Sequence, residues 1–260
     1  MISTQDGGMS DRCALIVGGT SGIGLASAVA LAKDGVNRLV LVGRDSQRGS
    51  TAREVVSQHG AEVKFVAGDA GNADQVSRIV AEASKFLGRV DILLNSVAPS
   101  GTLALVEDLS LVDVERLLGN LALPTLYMTR EVIPLMRASG AGSIINIASD
   151  AAKVATPGES VVGAAMAAIV MFSRTVAMEV KRYGIRVNAL TPSLVTGTGT
   201  SDRIFAHEFS TKIFDKISAK ASLGVPTADD LAALVTFLAG PASAKITGQA
   251  ISINGGISAG

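Results

Sequence analysis

Residues 13–33 read CALIVGGTSGIGLASAVALAK. Cys13–Val17 is a short unbroken apolar run, the pattern of a strand buried on both faces. Gly18-Gly19-Thr20-Ser21-Gly22-Ile23-Gly24 follows at once, and Leu25–Lys33 then carries a helical pattern. Strand, glycine-rich turn and helix in that order form a mononucleotide-binding unit. Backbone N–H groups of the turn and the helix N-terminus face a pyrophosphate there, because uncompensated donors and the helix dipole favour an anion. The glycines let the backbone approach closely. A tight turn with no ligand has the same letters, so the context of the whole chain has to decide.

That context is strand and helix in alternation. Strands are expected near 13–18, 38–43, 62–67, 91–95, 142–148, 185–190 and 250–253, and helices near 22–34, 46–59, 72–87, 111–138, 159–183 and 227–240. Alternation with short links predicts an α/β fold of Rossmann type, doubly wound, with about seven parallel strands and helices on both faces. No linker or repeat divides the chain, so residues 13–260 read as one dinucleotide-binding domain. The polar start, MISTQDGGMSDR over 1–12, reads as frayed.

The second strand, Leu39–Val42, ends in Gly43-Arg44-Asp45, with Arg48 a turn later. A carboxylate about 20 residues beyond the glycines binds ribose hydroxyls in such folds, whereas an arginine accommodates a 2′-phosphate. Arg44 stands in that window and favours NADP over NAD. A solvated loop charge is the plainer reading of the same residue.

Composition narrows the partners. The 260 residues carry 23 basic and 23 acidic side chains and are 48% hydrophobic. Balanced charge gives no footprint for nucleic acid or an acidic membrane. The longest apolar run, Val161–Phe172, is too short to span a bilayer. The single cysteine, Cys13, fits a reducing cytoplasm, where the protein is expected. No metal-ligand spacing occurs. Helix 159–183 is apolar on several sides, as its VVGAAMAAIVMF core shows, and must be buried, within the subunit or between subunits.

Further motifs fall in a recognisable order. VAGDAG carries Asp69 and Ala70; GRVDILLNSVA carries Asn95; LLGNLALP carries Asn120; GSIINIAS ends on Ser149; YGIRVNALTPS carries Pro192; TGQAISINGG closes the series. With the glycine turn, these resemble the short-chain dehydrogenase/reductase family over about Ala14–Gly256. The resemblance implies that Asp69, with Ala70 beside it, contacts the adenine, that Asn95 belongs to the motif after the fourth strand, and that Pro192 lies beside the nicotinamide. It implies that Asn120 holds a proton-relay water and that Ser149 is the active-site serine. It places a substrate lid over 196–218 and pairs helices 111–138 and 159–183 with a second subunit, giving a homodimer or homotetramer.

The resemblance also exposes a gap. The family's catalytic tyrosine follows the serine by thirteen residues, and its lysine comes four later on the same helix. Here those places hold Val162 and Met166, with no insertion or deletion around them. The tyrosine passes a proton to the substrate oxygen, and the lysine's charge lowers the phenol's pKa. Valine and methionine do neither, and loss of a general acid costs roughly 10²- to 10⁴-fold in rate. Substitutes are few. Tyr127, seven residues after Asn120, reads as a core or interface residue, and Tyr183 belongs to the loop before the sixth strand. Lys153 and Glu159 lie between Ser149 and the helix, where they overhang the pocket or stand as solvated loop charges. His207 falls in the lid segment. Ser149 itself either binds a carbonyl oxygen or caps a strand-end turn.

Three functions fit. One is an NADP-linked short-chain oxidoreductase acting on a carbonyl or alcohol with a degenerate catalytic site, using Ser149, Asn120 or a lid residue. Another is a non-redox lyase or isomerase on the same fold. The third is a catalytically silent NADP(H)-binding protein or partner subunit. Ile204, Phe205, Phe209, Ile213 and Phe214 make the lid apolar and point to an apolar small-molecule substrate, a hydrophobic carbonyl or alcohol, though core packing explains them as well.

Overall fold

A computed structural model describes residues 9–97, 103–206 and 208–259. Seven strands form one parallel sheet: β1 (Cys13–Val17), β2 (Arg38–Gly43), β3 (Glu62–Ala67), β4 (Ile92–Asn95), β5 (Gly142–Ile147), β6 (Ile185–Thr191) and β7 (Ala250–Ser252), in the order β3-β2-β1-β4-β5-β6-β7. The helices are α1 (Gly22–Lys33), α2 (Ser46–Ser57), α3 (Ala73–Leu87), α4 (Leu111–Ser139), α5 (Ser160–Val180), α6 (Gly199–Phe205), α7 (Glu208–Ser218) and α8 (Ala228–Ala239). The expected α/β architecture is therefore present, with boundaries displaced by a residue or two.

Strand parity builds the two cores. Leu15 and Val17 of β1 point to the face covered by α3, α4 and α5, where they meet Ile79, Met128, Val132 and Val176. Ala14 and Ile16 point the other way, to Leu31 of α1, Val56 of α2 and Val235 of α8. Burial on both faces is why β1 is apolar at every position instead of alternating. Each fully buried leucine contributes roughly 1.5–3 kcal/mol relative to exposure.

Helix starts follow their caps. Asp45 accepts from the backbone N–H groups of Gln47 and Arg48 at the start of α2, Asn72 from Asp74 on α3, and Ser110 from Asp113 on α4. Thr227 and Asp230 close a reciprocal capping box on α8. α1 differs: its N-cap, Ser21, makes no side-chain cap bond.

Three expectations change. Residues 9–12 are not frayed. Met9–Asp11 form a 3₁₀ turn with Met9 buried in the α1–α8 core, and the Arg12 guanidinium donates to the Ala239 carbonyl at 2.7 Å. The 196–218 segment contains two helices, α6 and α7, where none was assigned. Finally, α5 with the 3₁₀ turn after it, Ser160–Tyr183, is long and apolar enough to cross a bilayer by length and composition. Its packing on β6 and α4, with Val176, Ala177 and Val180 in the sheet's core, accounts for that apolarity.

The strand order reverses at β1 and β4. β2 and β3 extend one way, β5 to β7 the other, and the crevice at the carboxyl ends there is where open α/β sheets bind ligands.

Candidate active site

The crevice holds a groove of about 450 Å³ and, beside it, a smaller cavity of about 130 Å³. The two share Ser96, Val97, Thr198 and Thr200 as walls.

The groove collects most of the residues expected at a dinucleotide. Gly18, Thr20, Ser21, Gly22 and Ile23 line it from the turn, and Arg44, Asp69 and Ala70 from the ends of β2 and β3. Gly18 has φ +74°, in the left-handed region. A Cβ there would sit 2.1 Å from the Ser96 carbonyl oxygen, and a Cβ on Gly24 would sit 2.3 Å from the Gly18 carbonyl oxygen. Only glycine allows β1, α1 and the end of β4 to converge this closely. Gly24 thus seats α1 without lining the groove. With Ser21 making no cap bond, the first N–H groups of α1 keep their capacity for an anion. The residues fit a dinucleotide.

At the far end of β2, Asp45 is committed to α2. Its carboxylate caps the helix and pairs with Arg48 at 3.1 Å. The Arg48 backbone N–H, then the Arg48 guanidinium, hold it below the ordinary carboxylate range. Arg44 is exposed beside it on the groove wall.

Asn95 does not reach the groove. It is fully buried, its Nδ2 donating to Asn146 Oδ1 at 2.9 Å and Thr129 Oγ1 at 3.2 Å. Asn146 Nδ2 donates onward to Ser173 Oγ at 2.8 Å, whose hydroxyl donates to the Ile169 carbonyl at 2.7 Å. This chain of hydrogen bonds ties β4, β5 and α5 together through the Asn95 amide nitrogen.

Ser149, Val162, Met166 and Pro192 all line the smaller cavity. Ser149 lies two residues beyond β5 and N-caps a 3₁₀ turn, its Oγ accepting from the Ala151 N–H at 3.2 Å. The capping reading is therefore correct, yet the hydroxyl proton is left for a second partner. α5 approaches this turn closely because position 163 is glycine: a Cβ there would lie 2.8 Å from the Ala151 carbonyl oxygen. Val162 is 8% exposed and Met166 2%, in an apolar cluster with Leu121, Ala148 and Ile169. The places that the resemblance reserves for a phenol and an ammonium are occupied by hydrocarbon and thioether.

Asn120 lines the groove, not this cavity, and is exposed. Pro124, four residues on, has no N–H for the Asn120 carbonyl, so that helical bond is not made. Tyr127 packs against the α3–α5 core, as expected. Tyr183 lies between Arg137 and Arg182, 5.5 and 4.9 Å from its ring, away from both cavities. Cys13 is a core thiol, pushed up by burial. Lys153 is turned away: its Nζ donates to Ser252 Oγ and lies 3.8 Å from Asp150. Glu159, by contrast, lines the cavity.

From the 196–218 segment, Ser210 and the buried Phe214 line the cavity. Thr198 and Ser201 cap one another at the root of α6, and the Thr196 N–H donates to the Pro226 carbonyl at 2.9 Å. His207 and Ala98 lie outside the described residues, as do the side chains of Ile204, Phe205 and Phe209. The sequence reading missed Thr198, Ser201 and Ser210. A polar cap signature before a short helix was the available signal.

Fold and crevice define a dinucleotide-binding α/β protein. The chain belongs to the short-chain dehydrogenase/reductase family, whose members bind nicotinamide cofactors. Residues 17–258 match the family model described as Enoyl-(Acyl carrier protein) reductase. Relatives include Dehydrogenase/reductase SDR family member 4 of Homo sapiens, 30% identical over 95% of this chain and 88% of that one. Another is 3-oxoacyl-[acyl-carrier-protein] reductase of a Synechocystis species, 29% identical over 96% and 98%. Among solved structures, levodione reductase aligns with a TM-score of 0.89 at 27% identity, covering 95% of this chain and 97% of that one.

Proposed function

We propose that the protein is an NADP-dependent oxidoreductase of short-chain type that interconverts a small, apolar carbonyl and its alcohol. The observation that carries this reading is the shared wall between groove and cavity: a dinucleotide along the groove would bring its reactive ring to the cavity that holds Ser149. The cofactor supplies or accepts a hydride. Gly18–Ile23 hold its pyrophosphate, Asp69 and Ala70 its adenine end, and exposed Arg44 its 2′-phosphate. Ser149 donates its free hydroxyl proton as a hydrogen bond to the substrate oxygen. Ile147, Leu194 and Phe214 exclude water.

Exposed Leu118 on α4 and Met171 and Met178 on α5 support a homodimer or homotetramer formed through these two helices. The test is calorimetric binding of NADPH and NADH, followed by hydride turnover on a panel of apolar ketones and aldehydes. NADPH binding with turnover is the expected result; failure to bind either dinucleotide overturns the reading. A second reading, a dinucleotide binder without turnover, rests on the apolar wall at Val162 and Met166. It requires tight binding and no wild-type activity.

A further inference from the structure

We infer that Glu159 is the general acid–base of this site, standing in for the absent phenol and delivering the substrate's proton from the first turn of the same helix. This rests on the oxidoreductase reading above.

The geometry begins with elimination. Among the described residues lining the Ser149 cavity, Glu159 is the one whose side chain titrates; the others are apolar, seryl or threonyl. Both tyrosines of the chain lie elsewhere, Tyr127 in the α3–α5 core and Tyr183 between two arginines. Lys153 is bound to Ser252 and Asp150.

Position supports the role. Glu159 precedes Val162 by three residues and Met166 by seven, so all three fall along one face of α5 and its cap. As N-cap of α5 it makes no side-chain cap bond, and no ion pair among the described residues engages it. Its carboxyl is thus not spent on the helix it begins. The close approach at Gly163 holds this end of α5 against the turn that starts at Ser149.

Environment then sets the proton. Removal from water pushes Glu159 up to about 7; a hydrogen bond with Thr156 opposes this, and the negative charge of Asp150 reinforces it. Of the other charged groups on adjoining elements, Lys153 is paired with Asp150, and Arg116 with Asp113 on α4. An acid poised near neutrality is what proton transfer at such pH requires.

The balance is simple. With a reduced nicotinamide held in the groove, a hydride would be supplied to the carbonyl carbon, forming the C–H bond as the carbonyl π bond breaks. The Glu159 carboxyl gives its proton to the resulting oxygen, forming the O–H bond, and the carboxylate regains a proton from solvent. Oxidation of the alcohol runs the same steps backwards.

The test compares wild type, Glu159→Gln and Glu159→Asp in carbonyl reduction over pH 5.5–9. Dinucleotide binding is measured by calorimetry, and the protonated carboxyl is followed by infrared difference titration. The expected result is a wild-type rate that falls above about pH 7, a 10²- to 10⁴-fold loss in Glu159→Gln, and partial recovery in Glu159→Asp. Dinucleotide affinity stays unchanged, and a carboxyl band titrating near neutrality vanishes in Glu159→Gln. Turnover retained in Glu159→Gln overturns the role of Glu159 and leaves the oxidoreductase reading standing. A wild type that binds NADPH but reduces nothing overturns both.

Discussion

Glu159→Gln should make the protein more stable at alkaline pH while making it inactive. The magnitude follows from burial. Glu159 is pushed from its ordinary 4.5 up to about 7 when folded. The folded state therefore holds this proton more tightly than the unfolded chain does. Stability from the neutral carboxyl is complete below the unfolded value, is lost as pH rises through the folded one, and stays lost beyond it. The difference corresponds to at most about 3 kcal/mol, since water entering the cavity would reduce it. Glutamine has nearly the shape of the protonated acid and does not titrate. The two proteins should therefore match only below about pH 4.5 and diverge from there toward pH 8, with the variant ahead. For a chain of this size that is a melting difference of roughly 6–12 °C at the ceiling. Calorimetric unfolding at pH 5, 6, 7 and 8, without dinucleotide and at one protein concentration, reads it directly. A melting difference that is the same at every pH, or a variant that is less stable at pH 8, refutes the reasoning.

Three other perturbations address the groove and the apolar wall. Arg44→Ala should weaken NADPH binding about tenfold or more by removing a charge-assisted contact, leaving NADH unchanged; equal loss for both in calorimetry would remove the 2′-phosphate role. Gly24→Ala places a Cβ 2.3 Å from the Gly18 carbonyl oxygen, so about 1–3 kcal/mol of stability and the affinity for both dinucleotides should fall together in denaturant titrations. Val162→Tyr with Met166→Lys should yield turnover that no longer depends on Glu159, checked by adding Glu159→Gln. An inactive triple variant would show that the introduced pair does not reach the reacting atoms.

The sheet and most of its helices were legible because each depends on local pattern. β1 is apolar throughout because both faces are covered, and α2, α3, α4 and α8 begin at residues whose side chains cap them. The turn side of the groove was legible for the same reason, since its residues lie together between Gly18 and Ile23. What pattern could not convey was orientation. Asn95 is the last residue of β4, and its amide nitrogen turns into the sheet to bond Asn146 and Thr129. Asn120 and Ser149 lie in different cavities although both were expected at the same chemistry. Lys153 and Glu159 looked alike as loop charges between Ser149 and α5. Only packing separates them, sending the lysine to Asp150 and Ser252 and the glutamate into the apolar cavity. The helices of the 196–218 segment were missed because α6 is short and its cap is a Thr198–Ser201 pair that reads as loop polarity.

The apolar wall and the poised acid are two sides of one change. An ammonium at position 166 would favour the carboxylate form of Glu159, whereas Met166, 2% exposed among aliphatic side chains, leaves burial unopposed. Seven residues of helix span about 10 Å. At an effective dielectric near 20, a unit charge at about that distance is worth about 1.7 kcal/mol. Met166→Lys alone should therefore move the upper limb of the reduction profile down by roughly one pH unit. It should also cost stability, increasingly so as pH falls, because a buried lysine must be charged there while the unfolded chain charges it freely. The tyrosine–lysine pair and the Glu159 acid are then alternative solutions that interfere with one another, since the lysine that activates a phenol drains the proton from the glutamate. The pH–rate profile of Met166→Lys, with Val162 retained, decides this. A limb that stays at the wild-type pH would mean that position 166 and the Glu159 carboxyl do not share one electrostatic environment, and the substitution of the pair would no longer account for the acid.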